Sequence, residues 1–276
     1  MNKKLKTPLR YPGGKSKAIK KLFADFPDVT QFKEYREPFI GGGSVGIHIT
    51  RMNPDCKVWV NDLYWPLYNF WVHLRDHGDK LSDELKRLKL LHDGSDKARE
   101  LFNNHKVLVN DTTKSDFDRA VSFWIVNKCS FSGLTESSTF SAWASEKNFN
   151  LSGIDALKEY SKHIKNWKIT NLSYDQLLDD DGAFIYLDPP YEIKSKLYGK
   201  KGSMHKGFDH DKFAADCNAA REKHSIVISY NSDQFVKDRF PLWKQIEFDL
   251  TYFMRSDRKN YRENQADRKE LLLVNY

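Results

Sequence analysis

Cysteine and long apolar runs are both scarce in this chain of 276 residues. Its three cysteines, Cys56, Cys129 and Cys217, lie far apart, with neither CxxC nor Cys/His spacing, which argues against a disulfide framework and against a zinc site. The apolar stretches are strand-sized and shorter than the roughly 18 residues that a membrane span needs. No apolar segment follows the basic residues 1–6, so a secretory signal is not expected. We therefore expect a soluble, cytoplasmic protein with reduced thiols and no membrane partner.

A phosphate-binding loop is missing too, although residues 11–16 read Tyr-Pro-Gly-Gly-Lys-Ser. A Walker-type loop needs a glycine five positions before Gly14, where Leu9 stands, and a buried strand before that glycine. A glycine turn ahead of a helix would instead let Lys15 reach an anionic group such as an amino-acid carboxylate, with Tyr11 near a cation. An ordinary loop at a helix start is the alternative interpretation.

Positive charge is in excess and is unevenly distributed. The chain has 45 Lys and Arg against 38 Asp and Glu, which gives a net charge of +7. Residues 192–206 contain a single acid among several lysines, so a polyanion would be attracted to this segment. A solvated surface loop is the alternative interpretation. The lysines are Lys194, Lys196, Lys200, Lys201 and Lys206.

Strand and helix patterns alternate along the chain. Strand patterns occur at 34–39, 57–61, 168–172, 183–187, 225–229, 245–251 and 270–274. Apolar residues at helical spacing predict helices within 9–26, 115–128 and 211–223, and almost all of the chain from 63 to 166 has this spacing.

This alternation predicts an α/β fold, with a doubly wound, mostly parallel sheet of seven strands and helices on both faces. We assign residues 1–69 and 168–276 to one discontinuous catalytic domain, and residues 70–167 to a helical insertion. Ligands of such sheets bind outside the carboxyl ends of the strands, so residues at those ends are the candidate functional residues.

Glycines and acids stand at several of these strand ends. Gly41, Gly43 and Gly46 satisfy GxGxxG between a strand and a helix, where the backbone can approach a ligand closely. Asp62 ends the next strand and suits the two hydroxyls of a ribose, so together they indicate an adenosine-type cofactor. Asp175, just past the strand at 168–172, could accept from the adenine amino group. Taken singly, each acid is equally explained as a helix cap or a surface residue.

The most informative stretch is Asp188-Pro189-Pro190-Tyr191, which directly follows the apolar residues 183–187. Proline fixes φ and has no N–H, so this turn offers acceptors only, beside one carboxylate and one flat ring. The combination suits a planar amine such as the amino group of a purine, whose delocalised lone pair becomes localised when acceptors engage its N–H bonds. A proline-rich turn closing a buried strand is the alternative.

Five segments, in this order, resemble the Dam-type (D12 class) DNA N6-adenine methyltransferases over nearly the whole chain. The resemblance implies a Rossmann-like methyltransferase fold that transfers the methyl group of S-adenosylmethionine to N6 of adenine in double-stranded DNA, with the helical insertion as the DNA-recognition domain. The segments are Tyr11-Pro12-Gly13-Gly14-Lys15, Glu37-Pro38-Phe39-Ile40-Gly41-Gly42-Gly43-Ser44, Asn61-Asp62, Phe131-Ser132-Gly133-Leu134 and Asp188-Pro189-Pro190-Tyr191.

The resemblance also implies roles for the matched positions. Lys15 would lie near the methionine carboxylate of the cofactor and Asp62 on its ribose. Asp188 and the Pro189 carbonyl would hold the target amine while Tyr191 stacks on the base. The predicted cofactor-binding residues are Tyr11, Lys15, Glu37, Phe39, Gly41, Gly43, Asp62, Asp175 and Asp188, and the predicted catalytic residues are Asp188, Pro189, Pro190 and Tyr191.

Such a reaction requires the base to leave the stacked duplex, at a cost of roughly a few kcal/mol. A sulfonium is a strong electrophile, so the enzyme needs positioning and a path for the departing proton rather than a metal. We expect no metal dependence. A cluster of acids and histidines after the basic segment is better explained by a loop followed by a helix N-terminus than by metal ligands. It comprises His205, Asp209, His210 and Asp211.

DNA specificity is expected in the insertion and the basic segment. The resemblance places residues 128–136 against DNA, with Phe131 entering the base stack; a core phenylalanine is the alternative. Ser132 replaces an asparagine of GATC-reading members, and Glu136 replaces an arginine that contacts guanine, a loss of roughly 1 to 3 kcal/mol of base discrimination. These departures speak against GATC recognition. The predicted DNA-binding residues are Lys128, Phe131, Ser132, Gly133, Leu134, Glu136, Lys194, Lys196, Lys200 and Lys201.

Three other functions use part of the same pattern. A nicotinamide-dependent oxidoreductase would also use GxGxxG and Asp62, but it leaves Asp188-Pro189-Pro190-Tyr191 without a role. A methyltransferase for another planar nitrogen, such as cytosine N4 or a glutamine amide, shares the chemistry. A non-catalytic DNA-binding protein would not need Asp188 and Tyr191. We expect a monomer in solution, and restriction–modification, phage protection and host regulation are all compatible with the sequence.

Overall fold

Seven strands form one mixed sheet in the computed structural model, which describes residues 5–133, 138–191, 207–249 and 269–276. The order across the sheet is β3-β2-β1-β4-β5-β7-β6. The strands are β1 Glu34–Glu37, β2 Lys57–Asn61, β3 Lys168–Thr170, β4 Phe184–Leu187, β5 Ser225–Asn231, β6 Lys244–Asp249 and β7 Lys269–Val274.

Most strand pairs are parallel, as predicted. β1 pairs in parallel with β2 and with β4, while β7 lies antiparallel between β5 and β6. The chain adds β2 and β3 on one side of β1, and β4 and β5 on the other. This reversal of order opens a crevice between the carboxyl ends of β1 and β4, the usual ligand position in such sheets.

Nine helices of the described chain surround the sheet. The 27-residue helix α3 is interrupted at His77, whose φ of −135° and ψ of 30° are not helical. The nine helices are α1 Ile19–Leu22, α2 Ser44–Met52, α3 Trp65–Leu91, α4 Ser95–Leu108, α5 Asp116–Cys129, α6 Ala142–Asn148, α7 Leu151–His163, α8 His210–Ala220 and α9 Gln234–Arg239.

The helix predicted within 9–26 is wrong in extent. A single 3₁₀ turn at Lys15–Lys17 precedes α1, which is itself only one turn long. The periodic residues Ala18 and Leu22 are buried as expected. Their periodicity reflects this burial rather than one continuous helix, and Pro27 disfavours helical backbone at the residue before it.

Helices α3, α5 and α7 share a buried core with the strands. Trp71, Phe123 and Ile154 belong to the same buried cluster as Val60 and Phe184 of the strands. A second buried cluster covers the other face of the sheet, so helices lie on both faces. Helix α3 begins at Trp65 and continues through residue 70. The predicted boundary between the catalytic domain and the helical insertion, at 69/70, therefore lies inside this helix and stays a prediction.

A helix that crosses a membrane needs about 20 consecutive, mostly apolar residues. None of α1 to α9, in the part of the chain that the structure describes, is long and apolar enough to cross a membrane.

Gly43 should tolerate no side chain. It caps α2 at φ 67°, and a Cβ built there would lie 2.5 Å from the Trp71 ring. Gly182 also has positive φ, 87°, but has nothing within 4 Å of its Cβ position. We expect Gly182→Ala to lose about 1 to 2 kcal/mol of unfolding free energy from backbone strain, and Gly43→Ala to lose roughly 1 to 3 kcal/mol more from the clash. Urea unfolding midpoints measure both, and equal losses would contradict the clash.

Candidate functional site

A cavity of about 240 Å³ lies at the crevice between β1 and β4. Segments that are remote in sequence line it, because parallel strands bring their carboxyl ends to one edge of the sheet. The lining residues fall within 11–15, 37–45, 61–64, 172–174, 186–191 and 207–212.

The glycine loop between β1 and α2 forms one wall. Gly41 and Gly43 have φ of 47° and 67°, which side chains rarely adopt. A Cβ on Gly41 would lie 2.9 Å from the Tyr11 ring, and the Trp71 indole donates to the Gly41 carbonyl at 3.1 Å. The predicted strand, glycine loop and helix order is confirmed, and Tyr11 lies against the loop.

Asp62 faces this loop from the end of β2. Its Oδ2 accepts from the Gly41 N–H at 3.2 Å and its Oδ1 from the Tyr64 N–H at 3.0 Å. Each carboxylate oxygen can accept a further bond, so both can still take ribose hydroxyls. Burial raises the pKa of Asp62 to about 6, despite these bonds.

Glu37 is buried at the end of β1. The Tyr35 hydroxyl donates to its Oε2 at 3.0 Å. Burial raises the pKa of Glu37 to about 8, and the charges of Asp188 and Asp62 act in the same direction. The side chain is therefore mostly protonated at neutral pH and can donate a hydrogen bond as well as accept one.

A buried charge cluster closes the cavity on the β4 side. Lys15 is 3% exposed, and its Nζ lies 2.8 Å from Asp188 Oδ1, 2.8 Å from the Tyr191 hydroxyl and 3.0 Å from Glu270 Oε1. It also donates to the Gly13 carbonyl at 3.2 Å. The structure thus brings together Lys15, Asp188 and Tyr191, which the sequence predicted, and Glu270, which it missed.

The cluster carries more negative than positive charge. Burial raises the pKa of Asp188, the Glu270 charge raises it further, and Lys15 opposes both effects. One ammonium faces two carboxylates, so the ionised cluster has an excess of one negative charge. A cationic ligand would therefore be favoured in this cavity.

Tyr191 is held on several sides. Its hydroxyl donates to Glu270 Oε1 at 2.6 Å and lies 3.0 Å from Asp188 Oδ1. Its ring stacks on Tyr230, with centroids 5.6 Å apart and planes 22° apart. Because Tyr191 also lines the cavity, a planar group that enters can stack on a ring whose orientation is already fixed.

Comparison with known proteins identifies the family of this chain. The model of the D12 class N6 adenine-specific DNA methyltransferase family matches residues 11–250. The chain belongs to this family. The resemblance inferred from the five motifs is thereby confirmed, and the protein is a DNA methyltransferase.

Two curated relatives support the assignment. The type II methyltransferase M.MjaIII of Methanocaldococcus jannaschii is 27% identical over 250 residues, which cover 83% of this chain and 86% of the relative. The type II methyltransferase M1.LlaDCHI of Lactococcus lactis subsp. cremoris is 22% identical over 213 residues, covering 73% and 71%.

Asp175 of this methyltransferase is set apart from the other predicted residues. It is absent from the described lining of the cavity, and its carboxylate lies 3.5 Å from Lys212 Nζ. A hydrogen bond from the Ser173 side chain lowers the pKa of Asp175. Its neighbour Tyr174 does line the cavity and stacks on Phe39, with centroids 5.6 Å apart. The aromatic pair, rather than the acid, flanks this end of the site.

Phe131 lies on the surface, 56% exposed, at the start of the 3₁₀ turn Phe131–Gly133. The alternative of a core phenylalanine is therefore wrong.

Hydrogen bonds connect the turn Phe131–Gly133 and the residue before it to the N-terminal loop. Arg10 Nη1 donates to the Ser130 carbonyl at 2.7 Å, and Asn127 Nδ2 donates to the carbonyls of Arg10 at 2.7 Å and Gly133 at 2.9 Å. Sequence reasoning missed Arg10 and Asn127, which give no local signal.

Lys128 is half-buried on α5. Burial lowers the pKa of Lys128 to about 7, and the nearby Arg10 charge adds to this effect. Several other predicted DNA-binding positions lie outside the described residues, as does the side chain of Ser132. Those positions are Leu134, Glu136, Lys194, Lys196, Lys200 and Lys201.

No group of three or more His, Cys, Asp and Glu residues in the described chain could hold a metal ion. Asp209 caps α8 by accepting from the backbone N–H groups of Asp211 and Lys212, as the sequence predicted. His210 instead hydrogen-bonds the Tyr230 hydroxyl. Independence from metal stays a prediction.

The raised pKa of Glu37 gives a prediction for stability. An unfolded glutamate has a pKa of about 4.3, whereas the pKa of folded Glu37 is about 8. Between these values the folded chain holds a proton that the unfolded chain has lost, so unfolding free energy should decrease as pH rises through this window. Glu37→Gln keeps the shape of the protonated carboxyl and should flatten the slope. Urea unfolding at about pH 5.5 and pH 8 tests this, and an unchanged slope would refute it.

Proposed function

We propose that this methyltransferase transfers the methyl group of S-adenosylmethionine to N6 of an adenine that has been rotated out of double-stranded DNA. The observation that carries the proposal is a shared cavity: Asp188, the two prolines and Tyr191 line the same space as the glycine loop and Asp62. The part of the cavity suited to a nucleoside therefore adjoins the part suited to an amine.

The residues fit S-adenosylmethionine. Asp62 has capacity for ribose hydroxyls, the Gly41 backbone leaves room for close approach, and the ring of Phe39 suits the adenine. The negative charge of the cluster suits a positively charged sulfur. When bound, S-adenosylmethionine supplies an electrophilic methyl group. Lys15, the residue expected near its carboxylate, already donates to protein acceptors, so that role stays a prediction.

Asp188 is the acceptor for the target amine. Both contacts at hydrogen-bond distance from its carboxylate within the described chain, those of Lys15 and Tyr191, fall on Oδ1, which leaves Oδ2 for an N–H of the base. Pro189 and Pro190 have no N–H of their own, so their carbonyls act only as acceptors. Two acceptors on the amino group localise its lone pair, and Tyr191 holds the base plane.

Asp188 also handles the charge that develops on N6. As the new N–C bond forms, the bond between the methyl carbon and the sulfur breaks and the sulfur leaves as a neutral thioether. The nitrogen becomes positive and must lose a proton. An adjacent carboxylate stabilises this charge, and its Oδ2 takes up the proton. The reaction therefore requires ionised Asp188, while the raised pKa of Asp188 makes it a better base than an exposed aspartate.

Base rotation explains the need for a separate cavity and an exposed ring. A stacked adenine cannot bring its N6 to a cavity lined by Asp188 and Tyr191, so the enzyme must extrude it. The exposed ring of Phe131 suits insertion into the gap or against the distorted stack. The net charge of +7 favours binding to the phosphate backbone.

Replacement of Asp188 tests the chemistry. Asp188→Asn keeps the size of the side chain but presents N–H donors beside the amine, so we expect methyl transfer to fall by a factor of about 10² or more. Asp238→Asn, an exposed carboxylate on α9, is the matched control and should retain activity. The assay is tritiated methyl transfer into unmethylated DNA, with unfolding midpoints as the folding check. Full activity of Asp188→Asn would overturn the assignment.

The product and its sequence context provide a second test. We expect N6-methyladenine rather than N4-methylcytosine when the methylated DNA is digested to nucleosides. Single-molecule mapping of DNA from a methylase-free host expressing the chain should find modified adenines at sites other than GATC, since Glu136 cannot read guanine as an arginine does. Marks confined to GATC would contradict this expectation, and methylated cytosine would favour the alternative nitrogen substrate.

A further inference from the structure

An acid stands at the start of the otherwise apolar interior of β7. Glu270 is 2% exposed and precedes three fully buried leucines. It pairs in the sheet with Asn231 of β5. Its carboxylate lies 2.6 Å from the Tyr191 hydroxyl and 3.0 Å from Lys15 Nζ. Neither the motifs nor the family resemblance assigned it a role.

Stability alone gives little reason for an acid at this position. Removing a carboxylate from water costs several kcal/mol, and pairing with a buried ammonium often only compensates for this. An apolar residue would continue the pattern of β7. The position of the acid therefore calls for an explanation in the neighbouring site, where its carboxylate contacts Lys15 and Tyr191.

We propose that Glu270 is a positioning residue for methyl transfer, which holds the Tyr191 hydroxyl and the Lys15 ammonium in the arrangement that presents Asp188 to the target amine. This inference rests on the proposed function of the same cavity. Glu270 does not line the described cavity, so it acts through its partners rather than on the base.

Proton counting explains how it acts. A tyrosine hydroxyl has one proton, and it faces Glu270 Oε1 at 2.6 Å and Asp188 Oδ1 at 3.0 Å. The shorter bond takes the proton to Glu270. Asp188 then keeps its acceptor capacity, and the Tyr191 ring is anchored at its hydroxyl end as well as by Tyr230.

Glu270 also affects the charge on Asp188. The groups that face Asp188 are Lys15 from the N-terminal loop, Glu270 of β7, Tyr191 beside it, Tyr186 of β4 and Glu37 of β1. Glu270 raises the pKa of Asp188, whereas Lys15 lowers it. Loss of the Glu270 charge should lower the pKa of Asp188 and move the acidic limb of the kcat profile to lower pH. A purely structural role would leave that limb in place.

The experiment compares three replacements in the full chain with duplex DNA. Glu270→Gln removes the charge but keeps the length, and we expect kcat to fall roughly 10- to 100-fold with little change in KM for DNA, together with an acidic limb at lower pH. Glu270→Asp keeps the charge but shortens the reach, so kcat should fall without a shift of the limb. Glu247→Gln, at an ion-paired position on the neighbouring strand β6, is the matched control.

A double replacement tests whether the effect passes through Tyr191. In a Tyr191→Phe background, Glu270→Gln should reduce kcat by clearly less than it does alone, because the shared hydrogen bond is already lost. The Tyr191→Phe variant removes the shared hydrogen bond while Glu270 stays in place. It therefore tests the hydrogen bond even if replacement of Glu270 destabilises the chain. Additive losses with an unmoved acidic limb, or a Glu270→Gln variant that behaves like Glu247→Gln, would overturn the inference. Absence of adenine methylation by the unaltered chain would instead overturn the proposed function and the inference with it.

Discussion

The ammonium of Lys15, shared between Asp188 and Glu270, is the contact that joins the separate segments of the candidate site. Buried charges cost several kcal/mol per ion unless their partners are at hydrogen-bond distance. Three separate pieces of chain must therefore meet: the N-terminal glycine turn, the end of β4 and the start of β7. The ion pair with Lys15 helps to set the position of the Asp188 carboxylate.

The reversal of strand order between β1 and β4 supplies the space around this contact. Loops from adjacent parallel strands diverge there, which lets the glycine loop and the Asp188 turn face each other across one cavity. The same arrangement explains the opposite protonation demands of two nearby acids. Glu37 forms no ion pair with the residues that the structure describes, and burial raises its pKa so that it keeps its proton near neutrality, whereas Asp188 has Lys15 beside it and can ionise.

Local sequence signals predicted much of the fold and of the cavity. The glycine loop, Asp62 and Asp188 each follow a strand, and strand ends of a parallel sheet converge, so their proximity was deducible. Glu270 was not, because β7 is inserted between β5 and β6 and no local pattern reveals that pairing. The helix predicted within 9–26 is shorter than expected. Ala18 and Leu22 are buried at helical spacing although one continuous helix does not connect this segment. Asp175 stays a predicted cofactor-binding residue, but Tyr174 beside it is the residue of that turn that lines the described cavity.

The late position of β7 in the chain has a consequence for biosynthesis. Glu270 follows Tyr191 by 79 positions, and β7 must enter between two strands that are made before it. A nascent polypeptide already holding Lys15 and Asp188 thus lacks the second carboxylate until β7 has left the ribosome and paired on both edges. Assembly of the charge cluster is therefore coupled to completion of the sheet.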